Sequence, residues 1–185
     1  MESTLPIDIQ VLCRRLNPSD TILVFGSGSS FPSGGPIGSE LSAAIAKKFD
    51  IENGGSLSLA DAATIAEKKT DRRTLVDFLR SKLEHLSPSK GIINLPMFDW
   101  AGIYTTNFDK IIERAYERAN KSLSVTASNF DFGAGPPVSE QSLYKLHGTI
   151  DADISLGHRH HMVITGRDFD STSEYRDLLW SRFAD

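Results

Sequence analysis

Short apolar runs alternate along the chain with longer stretches in which apolar residues recur every three or four positions. The short runs are typical of buried strands, and the longer stretches are typical of helices with one apolar face. Parallel strands need a crossover connection, usually a helix, between one strand and the next. The alternation therefore predicts an α/β protein built around a parallel sheet.

Five of the short runs are predicted to be strands. The run TILVF at residues 21–25 is apolar and ends abruptly in Gly26, which makes it the best candidate for a central strand. The run AGIYT at residues 101–105 is the second convincing strand. The remaining predicted strands are residues 122–126, 143–146 and 161–165.

Helices are predicted before, between and after these strands, at residues 7–16, 36–49, 58–69, 71–86, 168–183 and in a segment that follows Asp109 and runs through Tyr116. The helices at 58–69 and 71–86 form a predicted helical insertion, at about 51–90, between the first two strands. No internal repeat, low-complexity tract or linker interrupts the pattern, so a single domain over residues 1–185 is expected.

The charge balance excludes some classes of partner. The 185 residues include 20 Lys and Arg against 24 Asp and Glu, which gives a net charge of −4. Phosphate backbones are bound by clustered Lys and Arg, so direct nucleic-acid binding by this domain is not expected. No run approaches the ~20 apolar residues of a membrane helix, and the N-terminus lacks the basic start of a signal peptide. We therefore expect a cytoplasmic protein without membrane contact.

The cysteine content excludes a familiar kind of metal site. Cys13 is the one cysteine in the sequence, so neither an intrachain disulfide nor a zinc site built from cysteines can form. The GHRHH segment contains three histidines, which are common metal ligands. On a strand, however, His158 and His160 would share a face while His161 points away. We expect this segment to be a solvent-exposed turn, and we expect no metal.

Polar clusters follow three of the predicted strands: GSGSS at residues 26–30, TTNFD at 105–109 and KLHG at 145–148. Open α/β sheets place their ligand sites at the carboxyl ends of the strands. The coincidence of polar clusters at these ends is the main evidence for a functional site.

The GSGSS cluster is suited to binding an anion. Glycines allow close backbone approach, and the hydroxyls and free N–H groups of a tight loop donate to phosphate oxygens. The loop is not a P-loop, because it has no Gly-Lys-Ser/Thr ending, and Phe31 occupies the third glycine position of the usual dinucleotide fingerprint. A bare turn without a ligand remains the alternative.

The other two clusters contain candidate catalytic groups. Asn107 and Asp109 could each cap the following helix, but together they supply more polar groups than one cap requires. His147 could be a hydrogen-bonded structural residue, or its imidazole could transfer a proton near pH 7. Gly148 follows it and is expected to leave room for a ligand to pass.

In this order, GSGSS, TTNFD and KLHG resemble the sirtuin family, whose patterns read GAGxS, TQNID and a catalytic His-Gly. The resemblance covers roughly residues 21–165. The segments IYTTNFDKIIE, KLHGTID and VITGRDF resemble the bacterial sirtuin-like branch of antiphage defence proteins more than they resemble the protein deacylases. The resemblance implies a Rossmann-like, DHS-like NAD/FAD-binding fold with NAD as the substrate.

The resemblance also implies roles for individual residues. Asn107 would hold the ribose or orient the attacking water, and His147 would be the base near the ribose hydroxyls. The remaining residues would bind NAD: Gly26, Ser27, Gly28 and Ser30 at the pyrophosphate and nicotinamide ribose, Thr106 in the pocket wall, and Asp109 at the nicotinamide carboxamide.

Two departures from the family pattern affect the expected activity. The GIPDFR continuation of the deacylase loop is absent, and so is the four-cysteine zinc module that helps to form the acyl-lysine cleft. A protein deacylase is therefore not expected. The prediction is an NAD hydrolase that releases ADP-ribose and nicotinamide as the effector of an antiphage, NAD-depleting system. The alternative is a non-catalytic NAD or ADP-ribose sensor that regulates a partner.

The resemblance implies partners and a longer fold as well. Such domains are commonly paired or fused with an ATPase or nucleic-acid-sensing component, and a homo-oligomer is expected. Sirtuin-like domains usually continue with another strand and a glycine/serine loop that holds the adenosine, so this chain is expected to lack the C-terminal part of the domain.

Overall fold

The computed structural model describes residues 8–52, 54–132 and 140–184. Its helices and strands, in chain order, are α1 (Ile9–Arg15), β1 (Ile22–Phe25), α2 (Gly38–Lys48), α3 (Leu59–Lys69), α4 (Arg72–Leu83), β2 (Gly102–Thr105), α5 (Ile111–Arg118), β3 (Leu123–Thr126), β4 (Gln141–Lys145), α6 (Ala152–Ser155), α7 (Gly166–Asp170) and α8 (Thr172–Ala184). Short 3-10 turns connect several of these elements.

The four described strands form one parallel sheet in the order β1-β2-β4-β3. The predicted α/β fold with a Rossmann-like parallel sheet is confirmed. Phe25 is in register with Thr105, and Thr105 with Lys145. The carboxyl ends of β1, β2 and β4 therefore lie side by side, and the polar clusters that follow them meet at one edge of the sheet.

The prediction that residues 21–25 form a central strand is wrong, because β1 lies at the edge of the described sheet. Leu23 and Phe25 pack on the main core, whereas Ile22 is 56% exposed and Val24 is 57% exposed. The interior strand is β2, and all of its residues are buried. A run that is apolar on both faces indicates a strand but does not reveal its position in the sheet.

Two cores cover the two faces of the sheet. On one face, Ile103 and Leu143 pack against a cluster that includes residues of α2, α3, α4 and α5. On the other face, the rings of Tyr104 and Tyr144 stack with their centroids 4.7 Å apart and pack with Leu179 of α8. Helices therefore cover both faces of β2 and β4, as a buried parallel sheet requires.

The predicted helices at 58–69 and 71–86 are present as α3 and α4. Ser58 caps α3 by accepting a hydrogen bond from the N–H of Asp61 at 3.1 Å, and Asp71 caps α4 by accepting from the N–H of Thr74 at 2.8 Å. The buried side of α3 consists of Ala62, Ala63 and Ala66. These small side chains allow neighbouring elements to pack close to α3, and α2 makes extensive contact with it.

The predicted fifth strand at 161–165 is wrong, because this described segment is irregular. Its backbone N–H groups bond to side chains and to a single carbonyl instead of a neighbouring strand: Met162 to Asp153 Oδ2 at 2.7 Å, Val163 to the carbonyl of His147 at 2.9 Å, and Thr165 to Asp168 Oδ2 at 2.8 Å. A buried apolar run must satisfy its backbone, and carboxylates do so here.

The predicted last helix, 168–183, is two helices. Thr165 caps α7 through a bond from the N–H of Asp168 at 3.3 Å, and α7 ends at Asp170, before Ser171. The helix α8 then runs through Ala184. Across the described ranges, no helix is both long enough and apolar enough to cross a membrane.

Candidate active site

A cavity of about 250 Å³ lies where the three polar clusters meet. The predicted site residues that line it are Ser27, Ser30, Thr106, Asn107, Asp109 and His147. Gly26 and Gly28 belong to the adjoining loop and do not line the cavity. Much of the remaining lining is apolar and includes Pro36, Leu41, Leu59, Leu83, Phe108, Val163, Ile164 and Phe169.

The glycine loop turns tightly after β1. A 3-10 turn, Ser27–Ser29, begins after Gly26, whose carbonyl accepts the N–H of Ser29 at 2.9 Å. The nearest atom to a Cβ built on Gly26 would be Thr106 Oγ1 at 4.0 Å, and a Cβ on Gly28 would meet nothing within 4 Å. Packing inside the described chain therefore does not require glycine at 28, and the space beside it is open to a ligand.

Asn107 connects the loop to β2. Its amide Nδ2 donates to the carbonyl of Gly26 at 2.9 Å, to Ser29 Oγ at 3.2 Å and to Ser30 Oγ at 3.0 Å. The hydroxyl of Ser29 donates to the Gly26 carbonyl at 2.7 Å, and the hydroxyl of Ser30 donates to Asp109 Oδ2 at 2.6 Å. Both hydroxyls therefore act as acceptors toward Asn107, which assigns the orientation of its amide. Its Oδ1 accepts no hydrogen bond from the residues described.

Asp109 binds the N-terminus of α5 and also binds the glycine loop. Its Oδ1 accepts the N–H of Ile111, the first residue of α5, at 3.1 Å, while Oδ2 accepts from Ser30 inside the cavity lining. Behind it, the fully buried Lys145 donates from Nζ to the carbonyl of Asp109 and to Glu113 Oε1 at 2.8 Å. This ion pair holds the strand end of β4 against α5.

The imidazole of His147 is enclosed by aromatic rings. The ring centroids of Phe169, Trp180 and Phe108 lie 5.6, 6.2 and 6.5 Å from that of His147. Burial, and secondarily the positive charge of Arg176, lowers the pKa of His147 from 6.5 to about 4. The ring makes no side-chain hydrogen bond to the described parts of the chain. At neutral pH the imidazole is therefore uncharged, and the lowered pKa makes it a weaker base than an exposed histidine.

Gly148 does not leave room for a ligand, contrary to the expectation from sequence. Its φ is +81°, and a Cβ there would lie 2.8 Å from Arg176 Nη2 and 3.3 Å from the Cα of Met162. The left-handed backbone and the close approach of Arg176 require the glycine. Its function is to let the chain turn beneath His147.

The sequence pattern does not predict the aromatic rings around His147 or the ion pair of Lys145. Phe108 and Phe169 lie inside the TTNFD and VITGRDF motifs, so the motifs could have indicated that both are near the site. Nothing in the sequence indicates Trp180, because it lies 33 positions after His147 and reaches it only through the fold of α8.

The GHRHH segment contains a 3-10 turn, His158–His160. The expected solvent exposure is wrong for His160, whose side chain is 13% exposed and whose Nε2 lies 3.2 Å from Asp131 Oδ1. In the described ranges, no group of three or more His, Cys, Asp or Glu side chains is arranged to hold a metal ion.

Part of the chain is similar to a known family. Residues 101–185 match the family model of the SIR2-like domain. No curated protein matches the chain. The matched region contains Asn107, Asp109 and His147, and the glycine loop lies before it. SIR2-like domains use NAD and are generally enzymatic. This match supports a sirtuin-like domain, and the parallel sheet with a cavity at its carboxyl edge is consistent with it.

Proposed function

We propose that this protein is an NAD hydrolase that cleaves the nicotinamide–ribose bond and releases ADP-ribose and nicotinamide. One observation carries the proposal: the uncharged, unbonded imidazole of His147 lines the same cavity as Asn107, whose Oδ1 has no partner among the described residues. These are the two groups that the hydrolysis needs, an acceptor for a proton and an acceptor that orients a hydroxyl or a water.

The cavity suits one end of NAD. Its volume of about 250 Å³ is slightly below the roughly 300–1,000 Å³ of small-molecule pockets, so it fits a nicotinamide riboside better than a whole dinucleotide. The apolar lining matches a flat ring, and the serine, threonine and asparagine groups match the ribose. No Lys or Arg lines the described cavity. The pyrophosphate would therefore bind to the N–H groups that begin the Ser27–Ser29 turn, in the open space beside Gly28.

The reaction needs little acid catalysis. When the bond between the ribose C1 and the nicotinamide nitrogen breaks, the electron pair returns to the pyridinium ring and nicotinamide leaves as a neutral molecule. The ribose then resembles an oxocarbenium ion, which water attacks at C1. In this proposal Asn107 Oδ1 accepts a hydrogen bond from the ribose or from the water, and His147 accepts the proton that the water loses.

Asp109 and Ser30 complete the proposed binding site. The carboxylate of Asp109 has spare acceptor capacity beyond its bonds to Ser30 and to the N–H of Ile111. It can accept an N–H of the nicotinamide carboxamide. Ser30 links Asp109 to Asn107, so the groups proposed to bind the ring and the ribose form one network.

A sensor is the second candidate function. It is favoured by the absence of any carboxylate that orients the ring of His147 in the described structure, a partner that a catalytic histidine often has. In this case the same cavity binds NAD or ADP-ribose without turnover and regulates a partner protein.

The proposed biological role is NAD depletion during phage infection, in the cytoplasm. The similarity of the IYTTNFDKIIE and VITGRDF phrases to antiphage proteins supports it, and the single cysteine argues against a zinc-bearing deacylase. We further propose that the chain acts as a homo-oligomer, gated by a paired or fused ATPase or nucleic-acid-sensing component.

The test is NAD consumption by the purified protein, with the products identified by chromatography, in the absence and presence of proteins encoded by neighbouring genes. His147→Ala and Asn107→Ala should each lower kcat by about 10²-fold or more. His85→Ala and Asn94→Ala are matched controls at exposed positions and should leave the rate unchanged. Wild-type rates in the first two variants would contradict the assignment. Binding without turnover under every condition would establish the sensor instead.

A further inference from the structure

Residues 162–165, here called the wall segment, form part of the cavity beside His147. Val163 and Ile164 line the cavity, and all four residues of the segment are buried. The segment has no strand partner, and one main-chain bond, from the N–H of Val163 to the carbonyl of His147 at 2.9 Å, ties it to the base. The position of the wall segment therefore depends on the side chains that hold its other backbone groups.

Two aspartates hold those groups. Asp153, which is fully buried, accepts the N–H of Met162 at Oδ2, at 2.7 Å. Asp168 Oδ2 accepts the N–H groups of Ile164 and Thr165 at 3.2 and 2.8 Å. Neither carboxylate lines the cavity. Both act on the site from behind the wall segment.

Arg72, the first residue of α4, connects the two aspartates. Its guanidinium binds Asp153 in a two-point contact, Nε to Oδ1 at 3.1 Å and Nη2 to Oδ2 at 2.6 Å. Nη1 donates to Asp168 Oδ2 at 2.8 Å, and Nη2 also donates to the carbonyl of Met162 at 2.8 Å. One side chain from the predicted helical insertion thus contacts the wall segment and both of the groups that hold it.

This geometry needs arginine in particular. The planar fork of a guanidinium can bind one carboxylate in a two-point contact and still donate to other acceptors, whereas an ammonium is a single point charge. Arg72 Nη1 also donates to Glu67 Oε2 at 3.3 Å. Lysine at 72 would keep the positive charge beside Asp153 but could not maintain all five contacts. Charge and geometry can therefore be separated by one substitution.

We propose that Arg72 is a positioning residue for the reaction: through Asp153 and Asp168 it fixes the wall segment, and so fixes the backbone of His147 and the apolar surface against which the nicotinamide ring binds. The inference rests on the proposed hydrolase function. Displacement of a reacting group by about 1 Å can cost on the order of 10²-fold in rate, so the positioning is expected to affect kcat.

The test is Arg72→Lys in the full chain, compared with Arg73→Lys at the exposed neighbouring position. We expect R72K to fold, as judged by circular dichroism, and to lower kcat by about 10- to 100-fold with KM changed by less than about threefold. R73K should match the wild type. A lower melting temperature with wild-type kcat, measured well below that temperature, would reduce Arg72 to a structural role and overturn the proposal.

A second measurement separates this proposal from the hydrolase function. In protein with isotope-labelled histidine, NMR reports the ring of His147 whether or not NAD is hydrolysed. R72K should shift the His147 ring resonances, and R73K should not. Unchanged resonances in R72K would overturn the proposal even if NAD hydrolysis were confirmed. If R72K does not fold, D168N, which keeps the contact between Arg72 and Asp153, should shift the same resonances in its place.

Discussion

The polar lining of the cavity and the wall segment are held in place by different means. The polar lining, which consists of Ser27, Ser30, Thr106, Asn107 and Asp109, is organised by hydrogen bonds between groups that directly follow β1 and β2. The wall segment is organised by an ion network whose charged groups lie behind the cavity. The groups that are proposed to touch NAD and the groups that hold the apolar surface are therefore separate, and mutations can disturb one without the other.

The largest expected effect is the loss of stability when the positive charge of Arg72 is removed from behind the wall segment. Arg72→Met leaves the fully buried carboxylate of Asp153 without its ion pair, and loss of one partner of a buried pair costs about 3–5 kcal/mol of unfolding free energy. Urea denaturation measures this loss.

The matched control for that loss is Arg73→Met, which should change stability by less than about 0.5 kcal/mol because the residue is exposed. The double variant R72M/D153N should recover part of the loss, since it removes the charge of Asp153 but leaves Asp168, the other carboxylate behind the wall segment that pairs with Arg72. If R72M alone is as stable as the wild type, the wall segment does not depend on the ion network.

The next effect acts on the polar lining alone. Asn107→Asp keeps the shape of the side chain but replaces the Nδ2 donor by an acceptor that faces the carbonyl of Gly26 and two hydroxyls. We expect kcat for NAD to fall by about 10²-fold, equivalent to about 2.7 kcal/mol, while the wall segment keeps its contacts.

Steady-state kinetics of N107D and of the exposed control Asn94→Asp test this prediction. An N107D enzyme with wild-type kcat would show that the donor network of Asn107 is not required. A loss of turnover in N94D would mean that the effect is not specific to the cavity.

A smaller effect is expected where the wall segment passes Gly148. Gly148 and Gly157 both have positive φ, +81° and +72°, but only Gly148 has atoms within reach of an added Cβ. Alanine at either position meets the backbone strain of about 1–2 kcal/mol. G148A should be about 1–2 kcal/mol less stable than G157A, because Arg176 and the backbone of Met162 must also move. Equal melting curves for the two variants would contradict the packing described here.

The smallest effect on the rate is the pH dependence due to His147. Burial, with a contribution from Arg176, lowers its pKa to about 4, so the ring stays neutral and the rate should be nearly constant between about pH 8 and 5. A rate that falls with a midpoint near the ordinary value of about 6.5 would show that the ring is not buried in solution.

Protein stability, unlike the rate, should already fall below about pH 6.5. Below about pH 6.5 His147 binds a proton in the unfolded state but stays unprotonated in the folded state. The free energy of unfolding therefore decreases progressively as the pH falls toward 4. The cost is on the order of 1–3 kcal/mol. The pKa of His161 is also lowered, mainly by burial and then by Arg72, and acts in the same direction. H147Q should reduce the loss of stability in denaturation experiments at pH 4.5 relative to pH 7.

The sequence alone determined the features that depend on near neighbours. The α/β class, the four confirmed strands and the helices α2 to α5 follow from hydrophobic periodicity and caps within a few residues of each other. The meeting of the GSGSS, TTNFD and KLHG clusters was also predictable, because the carboxyl ends of parallel strands lie at one edge of a sheet.

The tertiary structure decided which distant groups bury each segment and satisfy its backbone. Residues 161–165 have the composition of a strand, but Asp153 and Asp168 satisfy their backbone instead. Likewise β1 lies at the edge of the described sheet, although its run is as apolar as that of an interior strand. Local composition predicts that a segment will be buried, but it does not predict which groups will cover it.

The environment of His147 shows most clearly what only the tertiary structure decides. The sequence placed a histidine at the end of a strand and left open whether it was structural or catalytic. Its aromatic surroundings come from α7 and α8 as well as from the segment after β2, and Arg72 reaches the wall segment from α4, 81 positions before Asp153 and 96 before Asp168. The pKa of a side chain is determined by what surrounds it in space, and only the folded chain brings those groups together.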